Sequence, residues 1–164
     1  PPSAFSQLPS LVEMAGNSAH PQGRLTAFYT VLAEGDDQQD PIADAARAIL
    51  DGHFILSRQL AEQGHFPAID INASVSRLAS QIATSHELKQ MSTIRQLLGR
   101  YQEVKQLLPL GGYQSGRDPQ LDMAVNYYPQ IAEFLQQDQF QPVSSKQSNE
   151  QLDNLLNVMG GNHT

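Results

Sequence analysis

Four acidic side chains follow an apolar run in the first quarter of the chain. The run covers residues 25–33, and the carboxylates are Glu34, Asp36, Asp37 and Asp40. Parallel sheets bind ligands at the ends of their strands, so these groups could hold a magnesium ion or orient a water. The alternative is that Asp40 caps a helix beginning at Pro41, with the other three solvated near its positive end. We favour the capping interpretation.

A single arginine, Arg77, closes the segment Ser74-Val75-Ser76-Arg77 after a third extended stretch. A fixed guanidinium can stabilise the charge that develops on a phosphoryl group during transfer. Taken alone, an arginine at this position is more typical of an ordinary protein surface. The pattern by itself therefore does not assign Arg77 a role.

The 164 residues contain no G-x-x-x-x-G-K-[ST] phosphate loop, because none of the three lysines follows a glycine. The five histidines are dispersed and lack the spacing of a metal motif, so we expect no metal site. No arrangement of serine, histidine and aspartate suggests a nucleophilic triad. These residues alone cannot hold a nucleoside triphosphate by a phosphate loop.

Composition narrows the class of protein. A formal net charge of −7 leaves too few cations for a nucleic-acid surface, so we expect no nucleic-acid partner. The chain has no cysteine, which excludes disulfides and makes a reducing cytoplasm the default. Its first ten residues lack the basic start and the apolar core of a signal peptide, and no apolar stretch approaches the ~20 residues that span a bilayer. It begins with Pro1 instead of methionine, so we expect the natural protein to extend upstream.

The first half alternates extended and helical patterns. Residues 1–23 indicate a loop with one short helix around 9–15, and residues 25–33 indicate a strand buried on both faces. A helix should run from Asp40-Pro41 to Gly52, burying Ile42, Ala45 or Ala46, and Ile49. Strands are expected at 53–56 and 66–71, with a helix at 57–63 between them. This alternation predicts an α/β fold with a parallel sheet.

The second half is expected to be helical. Thr84 and Glu87 form a capping box before one long amphipathic helix that ends near Pro109. Its apolar stripe is Leu88, Met91, Ile94, Leu98, Tyr101, Val104 and Leu108. Asp118-Pro119 starts the next helix, which Pro129 should break or kink. Ser148 and Gln151 are expected to cap the last helix after a polar loop at 136–147.

Residues 25–77, LTAFYTVLAEGDDQQDPIADAARAILDGHFILSRQLAEQGHFPAIDINASVSR, are very similar to flagellar protein-export ATPases. They are nearly as similar to the ATPases of type III injectisomes, and EGDDQQDPIAD and ILDGH look closest to the flagellar type. The resemblance extends back through PPSAFSQLPSLVEMAGN and forward through LLGRYQEVKQLLPLGGYQSGRDPQLDMAV, and it thins after about residue 140. The sequence departs from the family at residues 20–22 and at Arg117, neither of which touches the implied chemistry.

The resemblance implies a fold and a set of site residues. Residues 1–81 would be the C-terminal part of a RecA-like ATPase domain and residues 82–164 a helical C-terminal domain. Arg77 matches the arginine finger that reaches across a subunit interface to the γ-phosphate. Phe66 matches the aromatic that packs against adenine, and Phe134 would lie on the helical side of that pocket. ATP and Mg²⁺ would be held mostly by residues upstream.

The implied function is ATP hydrolysis coupled to type III export of flagellar proteins, in a cytoplasmic homo-hexamer peripheral to the inner membrane. The implied partners are a coiled-coil stalk protein, export chaperones and the export gate. Three alternatives stay open: an injectisome ATPase, a non-catalytic helical docking module, and a stand-alone paralogue without catalysis. The chain on its own is expected to be inactive for lack of a phosphate loop.

Overall fold

The computed structural model describes residues 2–17, 23–32 and 40–161. The chain divides into two compact units, Pro1–His53 and Phe54–Thr164. The first unit contains helix α1 (Pro2–Glu13), strands β1 (Gly16–Asn17) and β2 (Arg24–Leu25), and helix α2 (Pro41–Ile49). Strand β3 (Gly52–Leu56) begins at the boundary. The second unit continues with α3 (Arg58–Glu62), β4 (Ile69–Ser76), α4 (Ala79–Ile82), α5 (Ser85–Lys105), a 3-10 turn (Leu108–Leu110), α6 (Pro119–Leu135) and α7 (Ser145–Gly161).

The strand expected at residues 25–33 is wrong for most of its length. Only Arg24 and Leu25 are extended in a ladder, where they pair antiparallel with β1, and residues 26–32 have no regular structure. Phe28 and Leu32 are 85% and 90% exposed. A strand buried on both faces needs paired neighbours and covering helices, and the described residues supply neither at this run.

Helix α2 begins where the sequence predicts, but its end and its buried residues differ from the prediction. The Asp40 carboxylate accepts hydrogen bonds from the backbone N–H groups of Ile42 and Ala43 at 2.8 and 3.0 Å, with Pro41 in the first turn. The helix ends at Ile49, and Gly52 begins β3 instead of ending α2. The buried residues are Ala43 and Ala46, whereas Ile42 and Ile49 are exposed, and α1 packs against this helix.

The structure also corrects the predicted N-terminal loop and the bounds of the third extended stretch. Helix α1 starts at Pro2, where a proline needs no backbone donor, so the loop predicted for residues 2–8 is wrong. The third extended stretch was expected at 66–71, but β4 begins at Ile69 and runs to Ser76. Phe66 and Pro67 form a bend before it. Helix α3 confirms the helix between the strands, with the Ser57 hydroxyl accepting the Leu60 N–H at its start.

Helix α5 begins with the predicted capping box. The Thr84 N–H donates to the Glu87 carboxylate at 2.7 Å, and the Glu87 N–H donates to the Thr84 hydroxyl at 3.2 Å. The bond from the Thr84 N–H, together with one from the Thr84 hydroxyl to the same carboxylate, holds the pKa of Glu87 below its ordinary value. The helix ends at Lys105, before Pro109, and Gly111 closes the 3-10 turn in the left-handed region at φ 69°. Ile94 and Val104 are buried as expected, whereas Leu97 is buried and Met91 is exposed.

Helix α6 begins at the predicted Asp118-Pro119 cap but does not break at Pro129. The Asp118 carboxylate accepts the N–H groups of Leu121 and Gln120, and it also pairs with the Arg100 guanidinium. The backbone bond from Leu121 is the main cause that lowers the pKa of Asp118. The helix continues to Leu135. Pro129 lies on its exposed side, where water can solvate the carbonyl left without a helical donor.

The start predicted for the last helix is one turn late. The cap is Ser144, whose hydroxyl accepts the Gln147 N–H at 3.3 Å while its own N–H donates to the Gln147 side chain at 2.9 Å. Ser144 and Gln147 have the same spacing as the predicted pair, Ser148 and Gln151. The sequence offers two consecutive capping boxes, and the structure uses the first.

Helices α5, α6 and α7 enclose the core of the second unit. Its buried residues are Ile94, Leu97, Ala124, Ile131 and Met159. Tyr101 and Tyr128 stack beside it with ring centroids 3.5 Å apart, and burial raises the pKa of Tyr128. The Asp153 carboxylate of α7 accepts from His86 and Gln90 of α5, which lowers the pKa of Asp153. Among the described helices, none has the length and hydropathy to cross a bilayer.

Strand β4 belongs to the same compact unit as these helices. The Arg95 guanidinium of α5 donates to the Ser74 carbonyl of β4 at 2.9 Å, and the two elements pack together. The division into compact units therefore does not fall between residues 81 and 82. The domain boundary expected there stays a prediction.

Candidate functional site

Arg77 is exposed directly after β4. The strand end that carries it is tightly held, because Ser74 is only 6% exposed and its hydroxyl makes two hydrogen bonds. The hydroxyl donates to the Asp70 carbonyl at 2.6 Å and accepts the Ile55 N–H of β3 at 3.0 Å. Arg77 therefore projects from a fixed strand end at the protein surface, which is the placement that a residue acting on another subunit requires.

Phe66 lies in the bend between α3 and β4, and its side chain is 55% exposed. The Phe66–Pro67 peptide bond is cis. The Phe66 carbonyl accepts a hydrogen bond from the Gln137 N–H at 2.9 Å. Because Gln137 lies two residues beyond α6, this bond joins the bend to the C-terminal end of that helix.

Phe134 is partly buried in the last turn of α6, three residues before Gln137. The bond between Gln137 and Phe66 therefore brings together the two segments that carry the predicted adenine-facing aromatics. An aromatic ring that keeps about half of its surface exposed is available to stack on a planar ligand. The structure thus places Phe66 and Phe134 on neighbouring segments.

Phe66 and Arg77 lie beyond opposite ends of β4. At about 3.3 Å per residue, the seven steps from Ile69 to Ser76 separate the ends of the strand by at most about 23 Å. Two groups separated in this way are suited to different binding sites. This separation agrees with an aromatic that serves its own subunit and an arginine that serves a neighbour.

Most of the predicted acidic cluster lies outside the part of the chain that the structure describes. Asp40 is the described member, and its carboxylate is used to cap α2. Glu34, Asp36 and Asp37 lie outside the described residues. In the part of the chain that the structure describes, no group of three or more histidine, aspartate or glutamate side chains could hold a metal ion.

Three residues near the predicted site were missed in the sequence. Gln137 acts through its backbone N–H, which no side-chain pattern could reveal. Asp70 accepts the N–H groups of Asn72 and Ala73 and so shapes the strand that ends before Arg77. Arg95 donates to the Ser74 carbonyl, but an arginine on an amphipathic helix is typical of a solvated face. Only the spacing Asp70-x-Asn72 hinted at a local turn.

Two known domains account for most of the chain. Residues 1–76 match the nucleotide-binding domain of the ATP synthase alpha/beta family, and residues 83–154 match the C-terminal domain of the EscN ATPase of type III secretion. The chain belongs to the family of flagellar and type III secretion ATPases. Its fold is accordingly part of a RecA-like nucleotide-binding domain followed by a helical domain, as the sequence predicted.

Curated relatives come from both branches of the family. The chain is 51% identical over 156 residues to a flagellum-specific ATP synthase of Pseudomonas aeruginosa, covering 95% of this chain and 35% of the relative. It is 53% identical over 153 residues to the flagellum-specific ATP synthase of Salmonella typhimurium, with 93% and 34% covered. A type 3 secretion system ATPase of Pseudomonas savastanoi is 49% identical, with 96% and 34% covered. The chain therefore spans about a third of these relatives.

Solved structures of EscN from enteropathogenic E. coli share the fold. The assembled ATPase matches at a TM-score of 0.87 and 42% identity, covering 97% of this chain and 37% of EscN. EscN in complex with its central stalk EscO matches at a TM-score of 0.84 and 41% identity, covering 95% and 36%. The predicted ATPase family and fold class are confirmed, whereas the roles of Arg77, Phe66 and Phe134 stay predictions.

Proposed function

We propose that this chain is the C-terminal part of an ATPase that couples ATP hydrolysis to type III export of flagellar proteins. The similarity to flagellum-specific relatives at 51% and 53% identity carries this proposal. An injectisome ATPase is the second candidate, because a Salmonella SPI-2 type 3 secretion system ATPase is 51% identical over 138 residues. Both candidates use the same chemistry and differ in the exported protein.

In this proposal Arg77 acts in trans on the γ-phosphate bound by a neighbouring subunit. Bound ATP and Mg²⁺ supply the phosphoryl group and much of its charge neutralisation, held mainly by residues other than these 164. The anchored end of β4 gives the guanidinium a fixed origin, and a planar guanidinium can spread charge over phosphoryl oxygens in a dry interface. Phe66 and Phe134 form part of the adenine pocket of their own subunit.

The proposed assembly is a cytoplasmic homo-hexamer at the cytoplasmic face of the export apparatus, peripheral to the inner membrane. The structures of assembled EscN and of EscN with its stalk EscO support an assembly of this kind and a stalk partner. Export chaperones and the export gate are further proposed partners. The 164 residues by themselves are proposed to be inactive, since they contain no phosphate loop.

A strain lacking the protein that carries this chain is expected to lose secretion of flagellar subunits and therefore motility. Injectisome secretion by the same strain should be unchanged. Secreted proteins in culture supernatants, compared by immunoblot before and after complementation, measure this. Normal flagellar secretion together with a loss of injectisome secretion would instead support the second candidate function, an injectisome ATPase.

The helical part also has a feature that favours a docking role. Leu107 and Leu110 are 46% and 80% exposed in the turn after α5. Apolar side chains exposed in this way contribute little to the stability of the fold and can mark a surface that binds a partner. In the same secretion assay, Leu110→Asp is expected to impair export while leaving ATP turnover near normal. Unchanged export by this variant would argue against docking at the turn.

Phe66→Ala is expected to raise the KM for ATP about three- to tenfold, because the adenine loses one stacking surface. The kcat should change little, since the ring does not touch the transferred phosphoryl group. Phe28→Ala is the matched control, because Phe28 is an exposed phenylalanine in the other compact unit. Steady-state kinetics on the ATPase that carries this chain measures both constants. An unchanged KM would remove Phe66 from the pocket.

A further inference from the structure

We propose that Arg95 is a positioning residue for Arg77, through the end of β4. The proposal rests on the proposed function of Arg77 as the arginine finger. It goes further by assigning the placement of that finger to a residue of helix α5, which has no part in nucleotide binding in the proposed function.

The first step is the position of the Arg95 contact. Its guanidinium Nη2 donates to the Ser74 carbonyl at 2.9 Å, three residues before Arg77. A hydrogen bond from a charged donor is stronger than one between neutral groups. The contact therefore restrains the last residues of β4, from which the Arg77 side chain departs.

The second step is that Ser74 joins several restraints. Its hydroxyl bridges the Asp70 carbonyl and the Ile55 N–H, while its carbonyl receives Arg95. The Asp70 carboxylate in turn accepts the N–H groups of Asn72 and Ala73. The hydroxyl and the carbonyl of Ser74 are therefore both hydrogen-bonded. A shift of α5 should consequently displace the end of β4.

The third step is that the helix backbone at Arg95 is held in place by the packed core. Arg95 is itself exposed, but the adjacent Ile94 is buried, and Ile94 with Leu97 belongs to the core shared by α5, α6 and α7. Packed cores hold their elements in a single arrangement. The helical core therefore restrains the end of β4, and the Arg95 side chain is one of the links between α5 and that strand.

The chemical consequence follows from how a finger acts. Its contribution depends on placing the guanidinium within a fraction of an ångström of the developing charge. If the end of β4 were mobile, ATP would still bind, but Arg77 would stabilise the transition state less well. Loss of the Arg95 contact should therefore lower kcat without raising KM.

The test uses Arg95→Gln, Arg95→Lys and the control Lys89→Gln in the ATPase that carries this chain. Lys89 is an exposed cation on the same helix, so its replacement removes the same charge. Arg95→Gln is expected to lower kcat about three- to tenfold and leave the KM for ATP within about twofold. Arg95→Lys should restore most of the kcat because an ammonium can still donate to the Ser74 carbonyl. Lys89→Gln should be unchanged.

Each variant is also combined with Arg77→Ala. If Arg95 acts through Arg77, Arg95→Gln should change the residual turnover of Arg77→Ala less than about twofold. An equal loss in both backgrounds, or an unchanged kcat, would overturn the positioning role. Normal turnover by Arg77→Ala alone would instead refute the finger itself and the inference with it. If Arg95→Gln fails to fold by circular dichroism, Arg95→Lys decides, since failed rescue of a folded variant counts against the proposal.

Discussion

Replacing Arg77 with alanine is expected to lower the ATP turnover number of the assembled ATPase by about 10³–10⁵-fold. This loss corresponds to about 4–7 kcal/mol of transition-state stabilisation. The guanidinium acts only when charge develops on the transferred phosphoryl group, so kcat should fall while the KM for ATP stays nearly constant. Phosphate release measured at saturating ATP gives the turnover number.

Three controls make this result specific. Arg117→Ala removes an exposed arginine outside the proposed site and should leave turnover unchanged. Size-exclusion chromatography should show that Arg77→Ala assembles like the parent, because its exposed side chain is not part of the described core. The 164-residue chain alone should show no turnover, and measurable hydrolysis by it would contradict its proposed inactivity. Normal turnover by an assembled Arg77→Ala protein would exclude the finger.

Local signals in the sequence located the helix starts well. Asp40, Thr84 and Asp118 were expected to cap helices, and each side chain accepts the backbone hydrogen bonds that a cap requires. Capping depends on residues within one helical turn, so it is legible in a linear sequence. The error at Ser148 arose because two consecutive segments fit the same capping pattern.

Signals that depend on distant parts of the fold were less legible. The apolar run at 25–33 has the composition of a buried strand, but strand structure also needs a partner to accept its backbone hydrogen bonds. Leu97 is buried in the core and the predicted Leu98 packs against it only partly buried, because the neighbours on α6 and α7 decide which side of α5 is covered. Residue type and spacing contain no information about such partners.

The candidate site shows the same division. Arg77, Phe66 and Phe134 entered as candidates through the resemblance, since an isolated arginine or phenylalanine has no distinctive pattern. The bond between Gln137 and Phe66 spans 71 positions, and the bond between Arg95 and Ser74 spans 21. Neither could be read from local sequence. The structure therefore added what holds the candidate residues in place.

Ile131→Ala is expected to lower the free energy of unfolding by about 2–5 kcal/mol, the largest stability effect among the proposed variants. Ile131 is 1% exposed and lies in the core shared by α5, α6 and α7. Truncation removes buried methyl groups and leaves a cavity that rigid helix packing cannot fully close. Urea denaturation of the chain, followed by circular dichroism at 222 nm and fitted with a common slope, measures the change.

Val158→Ala is the matched control, because it also shortens a branched aliphatic side chain on a helix of the same unit. Val158 is 60% exposed, so its truncation should change the free energy of unfolding by less than about 0.5 kcal/mol. A similar small change in Ile131→Ala would mean that the three-helix core is loosely packed. Because that core fixes Arg95 and through it the end of β4, loose packing would also weaken the proposed positioning of Arg77.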